Sequence, residues 1–127
     1  MHIGVNQETV NDSAKLIMHR LISRAIAGDP SLIERAKASN ARAAECYAGR
    51  SFVREWDELL DLPPMELRTR LTSREPLMVR LRTSSPFLLD AGIDFTDYEF
   101  RLRIRRAARR TVERGLASAT RRPAAGG

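Results

Sequence analysis

The sequence has few of the residues that usually build a chemical site. It contains one cysteine, Cys46, and two histidines, His2 and His19, and their spacing is not that of metal ligands. Nucleophilic catalysis needs a nucleophile, a base and an orienting group, and His19 is the only internal histidine, which we expect at the surface or at a boundary. No glycine-rich phosphate loop or nucleotide fingerprint is present. We therefore predict a protein that is not an enzyme and that uses no metal or cofactor.

Long apolar runs are also missing. No stretch of about 18 apolar residues occurs, so we expect no transmembrane helix. The first residues, MHIGVNQETVNDSAK, lack the basic-then-apolar order of a signal peptide. A single cysteine excludes an internal disulfide. These absences predict a cytoplasmic protein that does not insert into a membrane.

Alternation of apolar and polar residues with period two is absent, and the periodic segments all have helical spacing. We predict an all-α fold, a compact bundle of about five to six short helices. The predicted boundaries are a flexible N-terminus over residues 1–10, a helical domain over 11–114 and a disordered basic tail over 115–127. Trp56, the single tryptophan, falls on the apolar face of a short helix and is predicted to anchor the core.

Two helix starts are predicted from capping residues. Ser51 can cap the helix that carries Trp56. Thr96 and Glu99 have the Thr-x-x-Glu spacing of a capping box and predict a last helix from Asp97 to about Arg114. Phe100, Ile104, Ala107 and Ala108 would form a narrow apolar stripe on that helix.

Charge is plentiful but unevenly distributed. The chain carries a net charge of +6, and arginines outnumber lysines by 20 to 2. Residues 101–122 hold nine arginines and one acidic residue, a net +8, which leaves the first hundred residues at −2. A nearly neutral body with a cationic end suggests an anionic partner. A GC-rich genome would favour arginine over lysine, but it does not explain the clustering.

The arginines of the last predicted helix cover most of its circumference outside the apolar stripe, at about 100° per residue. Three interpretations stay open: contact with nucleic-acid phosphates, docking to an acidic protein, and an ordinary solvated face. No established DNA-binding motif accompanies the helix. The candidate binding residues on it are Arg101, Arg103, Arg105, Arg106, Arg109 and Arg110.

The stretch VRLRTSSPFLL, from Val79 to Leu89, is the other distinctive segment. Its hydroxyl residues can satisfy open groups at a helix end, and Pro86 disfavours helical geometry in the residue before it. The apolar residues after Pro86 are then expected to pack the connection into the core. Arg80 and Arg82 are not required by that interpretation, so they are candidates for contact with a protein partner or with DNA, and we predict that replacing both leaves folding intact.

Three segments together resemble a set of small bacterial helical proteins: HRLISRAIAGDPSLIERAKA, WDELLDLPP and LTSREPLMVRLRTSSPF. The shared features are an Asp-Pro-x-Leu restart, a Trp-x-x-Leu-Leu helix and a Leu-Arg-x-Ser-Ser-Pro-Phe signature, here Leu81 to Phe87. The similarity spans about His19 to Arg106. The set resembles the antitoxin-type partners of bacterial toxin–antitoxin gene pairs. The sequence departs from the pattern after Phe87 and in its arginine-dense ending, so the partner and any role in DNA binding do not follow from it.

Two functional hypotheses remain. In the first, the protein is a regulatory, antitoxin-like factor that binds and neutralises a protein partner, such as a cognate toxin encoded by a neighbouring gene. In the second, it is a DNA-binding regulatory protein that acts through the arginine-rich last helix. The two are compatible with each other, and self-association into a homo-oligomer is compatible with both.

Overall fold

The fold was obtained as a computed structural model, which describes residues 6–47, 50–88 and 90–121. These ranges contain no β-strand, which confirms the predicted all-α class. The described residues form six α-helices: α1 (Gln7–Gly28), α2 (Ser31–Cys46), α3 (Ser51–Leu60), α4 (Pro64–Leu71), α5 (Pro76–Leu81) and α6 (Tyr98–Arg121). Two 3₁₀ turns, Arg82–Ser84 and Pro86–Leu88, connect α5 towards α6.

Helix α1 is the centre of the bundle. It packs against α6, α4 and α2, while α3 packs on α2 and α4. The apolar residues from all six helices form one core. Removing such surface from water contributes about 25 cal/mol per Å², so this shared core is the main source of stability. Across the three described ranges, no helix is long and apolar enough to span a bilayer.

The start of α1 differs from the prediction. Asn6 caps the helix, because its side-chain Oδ1 accepts a hydrogen bond of 2.8 Å from the backbone N–H of Glu8. Val10, in the second turn, is fully buried. The predicted flexible terminus over residues 1–10 is therefore wrong for residues 6–10, and residues 1–5 lie outside the described ranges. The sequence interpretation missed this turn because Asn11 and Asp12 offered equally good caps further along.

Helix α3 confirms the predicted role of Trp56. The indole is 0% exposed, and its Nε1–H donates to the backbone carbonyl of Leu81 at 3.1 Å. Its ring meets Phe87 edge-on, with centroids 6.3 Å apart. Ser51, by contrast, is the first helical residue and makes no side-chain cap, so the predicted capping role is wrong.

Helix α6 begins at Tyr98 and is longer than predicted. Asp97 supplies the cap, because its Oδ2 accepts from the backbone N–H of Phe100 at 2.9 Å. Thr96 instead donates its hydroxyl to Asp94, so the predicted Thr96–Glu99 capping box is wrong. The helix continues to Arg121, which overturns the predicted disordered tail for residues 115–121. The remainder of that predicted tail, residues 122–127, lies outside the described ranges.

Candidate functional site

The segment from Val79 to Leu88 is built as the sequence interpretation expected, as a helix ending that leads into the core. The Ser84 hydroxyl donates to the carbonyl of Leu81 at 3.2 Å, and the Ser85 hydroxyl accepts from the N–H of Phe87 at 3.2 Å. The first bond satisfies a carbonyl that the end of α5 leaves open, and the second satisfies the N–H of Phe87 in the turn that follows. Phe87 is completely buried. The last residue of the motif, Leu89, is outside the described ranges.

Arg82 is part of this architecture and does not face a partner. Its side chain is only 2% exposed, and its Nη1 donates to the carbonyls of Leu71 at 3.1 Å and Ser73 at 2.6 Å. Leu71 is the last residue of α4, where carbonyls lack helical partners and the helix dipole favours a positive charge. The guanidinium thus stabilises the end of α4. This burial contradicts the predicted contact between Arg82 and a partner. The prediction that replacing both Arg80 and Arg82 leaves folding intact stays a prediction, and the bonds of Arg82 to α4 favour the opposite result.

Arg80 has a different environment, although it is only two residues away. Its side chain is exposed, and its Nη2 donates to the Glu55 carboxylate at 2.9 Å, an ion pair that joins α5 to α3. Exposed pairs of this kind typically contribute about 0–1 kcal/mol. Arg80 therefore stays accessible to a partner, but its charge is already compensated within the fold.

His19 was predicted to lie at the surface or at a boundary, but it lies in the core. The side chain is 0% exposed, and its Nδ1 lies 2.7 Å from the backbone carbonyl of Lys15. Since a carbonyl can only accept, Nδ1 carries the proton and Nε2 is the acceptor. Among the residues that the structure describes, Nε2 has no hydrogen-bond partner although it is buried, and the same holds for Nε of Arg82. A usable signal was present in the sequence: His19, Ile22 and Ile26 share one face of α1.

The pKa of His19 is lowered from 6.5 to about 4. Burial is the main cause, because it disfavours the charged imidazolium. The hydrogen bond to Lys15 opposes this effect, and the positive charge of Arg82 adds to it. A histidine that is neutral over the ordinary pH range and closed off from solvent is not arranged for proton transfer. We therefore treat His19 as part of the core.

The arginines predicted on the last helix are brought together on the solvent-facing surface of α6. Within the described ranges, none of them forms an ion pair of 4.0 Å or less with an acidic residue. One of them, Arg103, lies over the ring of Phe100 at 5.7 Å. Arg114, at the predicted end of the helix, has the same exposure. The exposed arginines are Arg101, Arg103, Arg105, Arg106, Arg109, Arg110 and Arg114.

Six of these seven side chains form two ridges along the helix. Arg101, Arg105 and Arg109 follow one another at four-residue intervals on one flank, and Arg106, Arg110 and Arg114 do so on the other. Successive members are about 6 Å apart along the axis. Like charges at this spacing destabilise a helix by about 0.2–0.5 kcal/mol per pair. An anionic partner would remove that repulsion, so α6 is suited to bind one.

A groove of about 350 Å³ lies between α1 and the first flank of α6. Its floor is apolar, and two arginines of the ridge and the 70% exposed Tyr98 stand at its rim. Polar side chains in the lining are all exposed, so the groove has no fixed polar group in its interior. The lining residues are Ala14 and Met18 from α1, and Tyr98, Arg101, Leu102, Ile104 and Arg105 from α6.

No protein-family model, curated protein or solved structure matches the chain, so functional inference rests on its own residues.

Among the residues that the structure describes, no three histidine, cysteine, aspartate or glutamate side chains lie close enough together to hold a metal ion. The surface of α6 is consequently the best candidate for a functional site.

Proposed function

We propose that the protein is a regulatory interaction protein, antitoxin-like in action, which binds and neutralises a protein partner through α6. The observation that carries the proposal is the set of exposed arginines on α6, which have no acidic partner within the described part of the chain. The complementary surface on the partner would be acidic. Such complementarity speeds encounter and fixes the orientation of the complex.

A protein partner is favoured by what accompanies the charge. The first flank of α6 combines arginines with the exposed Tyr98 and the apolar groove beside α1. Arginine and tyrosine are the residue types that most often dominate binding energy at protein interfaces. A surface that served only to bind phosphates would not need an apolar groove.

The test is co-expression of the full chain with the product of its neighbouring gene, assayed by co-purification and by rescue of growth. We expect the wild-type chain to co-purify with that product and to restore growth. The variant Arg109→Gln/Arg110→Gln, which removes charge from both ridges, should weaken the complex at least tenfold. The matched control is Arg24→Gln/Arg54→Gln, which removes the same charge from exposed positions on α1 and α3.

Two results would count against the proposal. If the chain neither co-purifies with the neighbouring product nor rescues growth, the antitoxin-like function is wrong. If the α6 variant and the control weaken the complex equally, the partner responds to overall charge and α6 is not its binding surface.

Nucleic-acid binding is the second candidate, and the ridge Arg106–Arg110–Arg114 favours it. Each phosphate contact contributes about 0.9 to the slope of log affinity against log salt on duplex DNA. We therefore expect Arg106→Gln/Arg114→Gln to lower the slope for random-sequence DNA by about 2, whereas the Arg24/Arg54 control leaves it unchanged. Absence of binding even at low salt would eliminate this candidate.

A further inference from the structure

We infer that the groove between α1 and α6 is the docking site for an amphipathic helix of the partner, with carboxylates one turn apart beside its apolar face. This inference rests on the proposed function, which names a protein partner but not where on α6 it binds or what segment it presents. Charge complementarity with the two rim arginines and the apolar floor of the groove determine the chemistry of the occupant.

The floor of the groove is apolar. Ala14 and Ile104 are almost fully buried there, and Met18 and Leu102 are half-buried beside them. Methionine adapts its shape to different partners because its side chain is unbranched and flexible. The volume of about 350 Å³ therefore accommodates apolar side chains projected from one face of a helix.

The rim of the groove carries two positively charged side chains. Arg101 and Arg105 are separated by one helical turn and project along the same flank of α6. A partner helix that lies along the groove presents side chains at the same interval, about 6 Å per four residues. Carboxylates at positions i and i+4 of that helix can thus meet both guanidinium groups, which bind a carboxylate through two parallel hydrogen bonds. Tyr98 stands at the end of the groove, where its exposed ring can cover the bound helix.

The same features argue against other occupants. A small-molecule site normally fixes its ligand with a few precisely placed polar groups in an enclosed pocket, and the polar groups of this groove are all at its exposed rim. Single-stranded nucleic acid binds on successive aromatic platforms, and within the described part of the chain Tyr98 is the one aromatic residue that lines the groove.

The test is a titration of the ¹⁵N-labelled full-length chain with a synthetic helix-forming peptide, followed by backbone amide shifts. The peptide carries leucines at i and i+4 and glutamates at i+1 and i+5, and a second peptide has glutamine in place of each glutamate. We expect the acidic peptide to shift amides of Met18, Tyr98 and Leu102, and to bind at least tenfold more tightly than the glutamine peptide.

Variants locate the contact. Tyr98→Ala truncates a side chain that is 70% exposed, so it should leave folding intact while weakening the acidic peptide at least tenfold. Arg101→Gln/Arg105→Gln should have a comparable effect, and the matched control Arg24→Gln/Arg54→Gln should change affinity less than twofold. On the opposite flank, Arg106→Gln/Arg114→Gln should weaken the peptide less than the Arg101/Arg105 pair does.

Three results would overturn the inference. The first is that the acidic peptide does not bind. The second is that the two α6 double variants lower the affinity for the peptide equally. The third is that single-stranded DNA displaces the peptide and shifts the amide signal of Tyr98 further than the peptide does. Its failure is distinguishable from that of the proposed function. If the neighbouring gene product co-purifies and Tyr98→Ala and Arg101→Gln/Arg105→Gln have no effect on that complex, the function stands and the groove is not its docking site.

Discussion

His19 should make the stability of the fold depend on pH between about 6.5 and 4. Its side chain is fully buried on α1, Nδ1–H is bonded to the carbonyl of Lys15, and Nε2 has no partner within the described part of the chain. Protonation would place a positive charge in the core close to the buried guanidinium of Arg82. The perturbation that isolates this effect is His19→Gln, which keeps an amide donor but cannot be protonated. It is made in a His2→Gln background so that one histidine titrates.

The magnitude follows from the two protonation equilibria. The pKa of His19 is lowered from 6.5 to about 4 in the folded chain, while the unfolded chain keeps the ordinary value. Between these two pH values the unfolded state binds more protons, so stability falls as pH falls. Each unit of pKa corresponds to about 1.4 kcal/mol, which makes the total loss about 3 kcal/mol by pH 4. Above about pH 6.5 the imidazole is neutral in both states, and the full stability is present.

The assay is urea-induced unfolding of both proteins at half-unit steps from pH 8 to pH 4. His19→Gln should show a constant difference from the parent above pH 6.5, because the mutation changes packing there. Below pH 6.5 the parent should lose about 3 kcal/mol relative to the variant, because contributions from carboxylates are common to both and cancel. Parallel stability profiles over the whole range would refute the reasoning. So would an NMR titration in which the His19 ring protons change near pH 6.5.

Two further substitutions test how the connection between α5 and α6 is held. Arg82→Met should destabilise the fold by about 3 kcal/mol in urea unfolding, because two carbonyls lose a charged donor. Arg80→Met should cost at most about 1 kcal/mol, as expected for an exposed ion pair. Similar losses for the two variants would contradict the buried role of Arg82. Trp56→Phe should cost about 1–2 kcal/mol, since the bond from Nε1 to Leu81 disappears and a small cavity remains, and an unchanged urea midpoint would show that this bond contributes nothing.

The helical elements were predictable where local information was sufficient. Trp56 and the stripe formed by Phe100, Ile104, Ala107 and Ala108 were predicted because spacing of three and four residues marks a buried helix face. Trp56, Ile104 and Ala108 are buried, while Phe100 and Ala107 are half-buried. Helix ends were less predictable. Asn6 caps α1 and Asp97 caps α6, in place of the predicted residues. In each case several neighbouring residues were chemically able to cap the helix. The choice between them depends on the packing of the first turn, which sequence spacing does not reveal.

Arg82 and His19 could not be assigned from local pattern in the same way. The carbonyls that bind Arg82 belong to Leu71, the last residue of α4, and to Ser73 just after it, eleven and nine residues earlier in the chain. Their position opposite Arg82 depends on how α4 and α5 fold back on each other. An arginine in an amphipathic run is mostly exposed, so the sequence predicted an exposed Arg82. The contact with these two carbonyls buries it instead. His19 was recoverable from its spacing with Ile22 and Ile26, but its residue type argued for the surface.

The contrast between Arg82 and the arginines of α6 bears on whether arginine content here reflects function or coding preference. Coding preference acts on every basic position alike, so it explains why arginine replaces lysine but not where the basic positions are. Arg82, Arg80 and Arg35 each have a partner in the fold: carbonyls at the end of α4, Glu55 and Asp90 respectively. The α6 arginines lack such acidic partners within the described ranges and repel one another along two ridges. Other exposed arginines such as Arg24 and Arg54 also form no ion pair within the described ranges, so it is the clustering of like charge along one helix that is the physical basis for expecting an anionic partner at α6.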